Sequence, residues 1–448
     1  MALWSPMTLP CGAVTKNKLV KAAMTEGLAD AQFNNPTNAH INLYRCWSEG
    51  GTGILISGNV MIDRRYLECP RNIVLDEQSP KHEFVKWRDA MKAEGSLAVL
   101  QISHPGRQCP VSVTSQPIAP SSVALQMPGM PTTASKLLVA KPREMNDEEI
   151  LEVVKQFVTT ARLARDFGFD GVQVHSAHGY LLSQFLSPKT NLRTDRWGGS
   201  SSNRRRLLLE VIKGVLQLRS GNPKFIVSVK LNSADFQKGG FTEDEATAVL
   251  KELAGLGVDF VEISGGTYEG AKMMENPNLR KSTREREAFF LQFCEKAVAV
   301  TKGKLPLMLT GGFRSVEGME AALATGAVDL IGVARPLCVE PDLPKLFQSE
   351  QKTESAHYDL TLHPRLEVAV GAGIQNLWHQ VQIHRLAQGL APDIHYRGWA
   401  YLLGPAFMRT YLWEPRKSAT GRALAALGPR GLALLSVGAA AALWCACH

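Results

Sequence analysis

Three side chains able to handle protons and hydrogen bonds stand within six positions: His175, His178 and Tyr180. An imidazole can donate to a carbonyl oxygen or exchange a proton, and a phenol can give one up. A zinc pair is a rival reading, since two His at i, i+3 can share a helical face. However, no third ligand follows at a recognisable spacing. A purely structural His–Tyr cluster is the other alternative. Lys230 sits at the end of an apolar run, where a cation is costly to bury without an anion. A ring that carries negative charge when reduced would supply one. A Schiff-base role or an amine that simply reaches solvent stays open. Gln101 offers an amide to a heterocycle edge and Thr25 a hydroxyl, unless each serves a local backbone group. Gly311-Gly312 and Gly332 to Arg335 offer backbone N–H groups and a guanidinium. That combination suits a phosphate, although each glycine alone could be an ordinary turn.

Such residues need a scaffold that brings them together. Short apolar runs recur along the chain at Leu19–Met24, Ile54–Ser57, Leu97–Ile102, Gly171–His175, Phe225–Leu231, Val258–Ile263, Leu305–Thr310 and Val328–Val333. Between them lie segments of helical period, such as Pro36–Glu49, Ser79–Ala93, Asp147–Phe167, Asn203–Arg219, Glu243–Leu256, Arg284–Val300 and Val316–Ala324. Caps and stops bound many of them: Asn146 before an acidic turn, Thr242 ahead of Glu245, Gly257 after Leu256. Eight strand–helix units in series predict an α/β fold, a (β/α)8 barrel, with a doubly wound sheet as the alternative. No G-x-G-x-x-G follows the first strand, which disfavours that alternative. In a barrel the reactive groups sit at the C-terminal strand ends, and all the residues above fall there. An insertion from Cys109 to Lys141 follows the third strand, over the expected mouth.

The 448 residues carry 50 basic and 42 acidic side chains, a net charge of +8. From Arg397 onward there are six basic residues against Glu414, so most of the excess belongs to the C-terminal stretch. The Arg204-Arg205-Arg206 run opens a helix and reads as a solvated or paired face, so nucleic-acid binding is not expected. Eight scattered cysteines include no C-x-x-C, which argues against zinc ribbons, iron–sulfur ligation and a disulfide framework. No secretory signal is evident at the N-terminus, and a cytoplasmic setting is expected. Residues 431–448 contain no Asp, Glu, Lys or Arg and follow a basic segment. They are a candidate membrane anchor, with a buried Ala-rich helix as the alternative.

The motifs resemble the old yellow enzyme family of FMN-dependent NADH:flavin oxidoreductases and ene-reductases. The most specific stretch is residues 175–211, HSAHGYLLSQFLSPKTNLRTDRWGGSSSNRRRLLLEV. QISHPGRQ at 101–108, LTGGF at 309–313 and IGVARP at 331–336 also match, in order, within about residues 7–345. The resemblance implies that Ala23, Met24 and Thr25 pack on and hydrogen-bond the flavin, and that Gln101 and Lys230 meet its pyrimidine side. It implies that Gly312, Ala334 and Arg335 hold the phosphate, with Gly58, Gly265, Gly311 and Gly332 also in the cofactor site. His175 and His178 would bind a substrate carbonyl oxygen and Tyr180 would donate the proton. NAD(P)H would be the reductant and an activated alkene the small-molecule substrate. Some members carry Cys where this chain has Thr25, and the iron–sulfur and nucleotide-binding segments of larger relatives are not visible in these residues. The implied layout is an FMN-binding barrel over 1–350, a helical extension over 351–396, a basic linker over 397–430 and the apolar tail. Oxidase or demethylase chemistry on amines, or a silent membrane-attached barrel, would be the alternatives.

Overall fold

The computed structural model describes residues 1–126, 139–265, 279–356, 358 and 364–395, and of 279–289 and 364–375 the backbone alone. Eight parallel strands close on themselves: β1 Leu19–Lys21, β2 Ile54–Met61, β3 Leu97–Ser103, β4 Gly171–Ser176, β5 Ile226–Asn232, β6 Phe260–Ser264, β7 Leu307–Thr310 and β8 Leu330–Val333. β8 pairs with β1, and β1 with β2, which completes the ring. The fold is the (β/α)8 barrel expected from the alternation of elements.

Strand period two sorts the side chains. Val20, Ala22, Ile54, Ile56, Val99, Ile226, Phe260, Met308 and Leu330 form one apolar cluster, which marks the barrel interior. Their chain neighbours, such as Leu19, Leu55 and Val261, join the larger cluster shared with the helices. Leu9 and Ala13 belong to the interior cluster too, so the N-terminal hairpin Met7–Thr8/Val14–Thr15 plugs the barrel floor. The buried Asp259 carboxylate pins that plug. It accepts N–H groups from Cys11 at 2.8 Å and Val227 at 2.7 Å and pairs with Arg219.

The ring of helices is α1 Asn38–Glu49, α2 Lys81–Met91, α3 Asp147–Asp166, α4 Arg206–Leu216, α5 Glu243–Leu256, α6 Leu279–Thr301, α7 Val316–Ala324 and α8 Pro364–Ala387. Capping chemistry sets the starts. Asn146 and Glu149 exchange reciprocal bonds of 2.8 and 3.0 Å at α3, and Thr242 with Glu245 does the same at α5. Gly257, at φ 81°, ends α5 in the left-handed conformation. The helix expected over 203–219 is interrupted: Ser201–Arg204 and α4 meet at Arg205.

β2 runs four residues beyond the expected Ile54–Ser57. The reason is a bulge: pairing with β3 shifts register between Ile56 and Asn59, around Ser57-Gly58. In the insertion after β3, Ile118–Ala119 pairs with Arg143–Glu144, and residues 127–138 lie outside the described part. α8 packs along α1, where Asn42 Nδ2 donates to the Ala387 carbonyl at 3.1 Å. Gln380 Nε2 also donates to the Glu26 carbonyl, at 3.2 Å, and His384 Nε2 lies 2.7 Å from it. Among the described residues no helix is long and apolar enough to cross a membrane. The basic linker 397–430 and the tail 431–448 lie outside them.

Candidate active site

The sequence candidates gather at the C-terminal ends of the strands. After β1, Ala23, Met24 and Thr25 form a half-buried strip. Below it the Glu26 carboxylate accepts the Gly58 N–H at 2.9 Å and the Tyr44 hydroxyl, and so fixes the loop to the β2 bulge. Lys21 is fully buried beneath this loop. Its ammonium donates to the Ile56 carbonyl at 2.8 Å and lies 4.5 Å from the Trp47 ring centroid. Burial brings its pKa down to about 8, against the pull of Glu26. Thr25 Oγ1 lies 2.9 and 3.1 Å from the two oxygens of Glu68, and Asn59 Nδ2 donates to Glu68 at 2.7 Å.

His175, His178 and Tyr180 come together at the end of β4. The His175 ring stands edge-on to both partners, with centroids 5.2 Å from His178 and 4.7 Å from Tyr180. His175 Nδ1 accepts the Ala177 N–H at 3.2 Å, which assigns the ring proton to Nε2. His178 Nε2 lies 2.7 Å from Ser264 Oγ, and its backbone N–H donates to Asn232 Oδ1 at 3.2 Å. The latter bond helps hold His178 at φ 59°, an uncommon conformation for a residue with a side chain. Burial holds both imidazoles well below the usual histidine pKa, and the charge of Lys230 adds to it. Both rings are therefore neutral at pH 7. Gln184 staples the loops after β3 and β4, donating to the Pro105 and Gly179 carbonyls at 3.1 and 2.7 Å.

Inside the barrel mouth lies a polar layer that spans four strands. Gln101 Nε2 on β3 donates to Gln173 Oε1 on β4 at 2.6 Å, and Gln173 Nε2 donates to Glu262 Oε2 on β6 at 3.0 Å. Lys230 on β5 pairs with Glu262 Oε1 at 2.9 Å. Lys230 thus has an anion from the protein itself, where the sequence reading looked to a bound ring. The missed residues Gln173 and Glu262 had a signal. Glu262 is an acid inside an apolar strand, two residues from its end, and Lys230 has the same offset on β5. The barrel register places the two side by side.

The glycines separate into two kinds. A Cβ at Gly58 would sit 2.1 Å from Glu26 Oε2, at Gly265 2.6 Å from the Phe236 ring, and at Gly332 2.0 Å from Thr310 Oγ1. These three are required by close neighbours. Gly311 takes φ 140° and Gly312 φ 93°, and a Cβ at Gly311 would meet open space. Backbone there borders room for a ligand, next to the half-buried Ala334 and Arg335 beyond β8. Asn59 Oδ1, His104 Nε2 and Thr310 Oγ1 are buried with no hydrogen-bond partner among the described residues. Among those residues no cluster of His, Cys, Asp and Glu could hold a metal, so a zinc reading of His175 and His178 has no third ligand there.

A closed parallel barrel whose strand ends carry this cluster defines the class as a (β/α)8-barrel enzyme. The chain belongs to the NADH:flavin oxidoreductase / NADH oxidase family, whose model matches residues 2–354. It is 38% identical over 378 residues to an NADH-dependent flavin oxidoreductase of Hypocrea jecorina, covering 81% of this chain and 92% of the relative. Its identity to an NADH-dependent flavin oxidoreductase of Aspergillus parasiticus is 40% over 338 residues, 73% of this chain and 74% of the relative. An old yellow enzyme homologue from Zymomonas mobilis superposes with a TM-score of 0.66 at 26% identity, covering 82% of this chain and 99% of that one. The protein is an FMN-dependent oxidoreductase that takes NAD(P)H as reductant.

Proposed function

We propose that this protein reduces the C=C bond of α,β-unsaturated carbonyl compounds. The observation that carries the reading is the neutral His175–His178–Tyr180 cluster at the mouth of the barrel. In this reading Ala23, Met24 and Thr25 line one face of the FMN ring, while Gln101 and Lys230 meet its pyrimidine edge. Gly311, Gly312, Ala334 and Arg335 take the phosphate, while Gly58, Gly265 and Gly332 let the strand ends pack closely around the site. The donor set fits the group: an amide and a cation for the ring, open backbone and a guanidinium for the phosphate.

Bound there, FMN would supply the hydride chemistry, with NAD(P)H as the reductant and the β-carbon of the alkene as the acceptor. The chain's own residues do the rest. His175 presents its Nε2–H as a donor to the substrate carbonyl oxygen. His178 turns from Ser264 to the same oxygen. Two neutral donors stabilise the negative charge that builds there, in a site from which burial excludes most water. They cannot act as strong acids, because burial keeps them unprotonated. The proton for the α-carbon therefore comes from the Tyr180 hydroxyl, which stands beside His175.

The test separates the two halves of the reaction. In Tyr180→Phe, NADH should reduce the flavin at the wild-type rate. Reoxidation by cyclohexenone should fall by at least about 100-fold, the low end for loss of a proton donor. An unchanged cyclohexenone rate would remove Tyr180 from this role. If no enone reoxidises the reduced wild-type protein, ene-reduction itself is the wrong reading, while NADH–flavin chemistry stands.

A further inference from the structure

Lys230, Glu262, Gln173 and Gln101 form one continuous chain across the barrel interior, and only its two ends have a part in the function proposed above. The middle two residues are fully buried, and each is held on both sides. Buried charges persist when they are paired and hydrogen-bonded, and Glu262 is both. Its position also has a directional consequence. A carboxylate only accepts, so Gln173 must turn its Nε2 toward Glu262. Gln173 Oε1 then faces Gln101, which must turn its own Nε2 inward. The Gln101 amide is therefore oriented by a charge two residues away, and its carbonyl oxygen and second N–H remain for a ligand.

We propose that Glu262 is a positioning residue for the flavin's pyrimidine edge: it tempers the charge of Lys230 and, through Gln173, fixes the orientation of the Gln101 amide. The proposal rests on the reading that Lys230 and Gln101 face FMN. Two effects follow. A lysine paired with a carboxylate attracts the negative charge of reduced FMN less than a lysine alone, so Glu262 holds the flavin's midpoint potential down. An amide locked in one orientation meets the ring's donors and acceptors without first reorienting, which favours binding.

The experiment uses the full-length holoprotein and reads the FMN midpoint potential and the FMN dissociation constant. Glu262→Gln should raise the affinity for reduced FMN over oxidised FMN at least tenfold, about 30 mV upward for a two-electron couple. In a Lys230→Met background the same substitution should change that ratio less than threefold, because Glu262 acts through Lys230. Glu262→Asp, which keeps the charge, should stay near wild type. Gln173→Leu leaves the Lys230–Glu262 pair intact but frees Gln101. It should weaken FMN binding at least tenfold and leave the potential close to wild type. The proposal is overturned if Glu262→Gln leaves the potential unmoved or moves it equally in both backgrounds. Should Glu262→Gln fail to fold, an unchanged FMN dissociation constant in Gln173→Leu overturns it. If Lys230→Met alone alters neither potential nor binding, the placement of Lys230 beside FMN is what fails.

Discussion

At the scale of single residues, what matters is which protonation state each side chain is held in. His175 and His178 share a site with Lys230, and burial already disfavours their charged forms. Both should remain neutral at pH 6, where an exposed histidine is mostly protonated. Imidazole 15N chemical shifts between pH 7.5 and 5.5 test this. The shifts of these two rings should stay those of the neutral form, with His175 as the Nε2–H tautomer. Titration of His175 near pH 6.5 would contradict the donor role. The residues proposed to face the ligand stand out in the sequence because motif and strand end coincide at His175, Gln101 and Arg335. Their partners do not. Glu68, which meets Thr25 from 43 positions away, follows no strand, and nothing local marks it. Ser264 carries no motif of its own, and its contact with His178 spans 86 positions.

At the scale of elements, helix ends were legible because caps are local chemistry. α5 and α7 begin and end where the sequence placed them, at Glu243–Leu256 and Val316–Ala324. Strand ends were harder, since a glycine inside an apolar run reads as a stop. Gly58 follows the apolar run Ile54–Ser57, yet it sits inside the strand as part of a bulge. That bulge is where three elements meet. Glu26 from the β1 loop bonds the Gly58 N–H, Tyr44 from α1 holds Glu26, and α8 holds the Glu26 carbonyl. A methyl group at position 58 would collide with Glu26 Oε2 and, 2.3 Å away, with the Met24 carbonyl. The first can swing aside, but the second is backbone. Gly58→Ala should therefore displace Met24 and Thr25 and cost roughly 1–3 kcal/mol, as overpacking does. Thermal denaturation and the FMN content of the purified protein would show both effects. A variant with wild-type Tm and full flavin would mean that the β1 loop is not held through this contact.

At the scale of the whole molecule, the barrel is closed below by the N-terminal hairpin and braced at the side by α8, and its interior keeps charge only where a group is paired or hydrogen-bonded. Histidines follow the same rule. His40, whose Nδ1 accepts the Thr37 N–H at the start of α1, and His104, beside Tyr66 at the end of β3, are both buried and their pKa values fall to about 4. Desolvation is the main cause in each. The unfolded chain binds protons at these positions from about pH 6.5 downward, whereas the native state does not until about pH 4. The unfolded state thus binds more protons across that window, and stability rises with pH through it. The contribution is complete above pH 6.5 and is lost as the pH falls toward 4, on the order of 3 kcal/mol for each histidine. Carboxylates held low, such as Asp63 and Glu149, give way only further down, so this window belongs largely to histidine. Asp235 and Asp329, whose carboxyls burial pushes up, act in the opposite sense and reduce the net loss. Urea denaturation at pH 7.5, 6.0 and 5.0 should show the midpoint falling steadily, with the slope shallower in His40→Gln and His104→Gln. A midpoint that is flat from pH 7.5 to 5.0 would mean these rings are charged in the folded barrel, and the account of a neutral interior would fail with them.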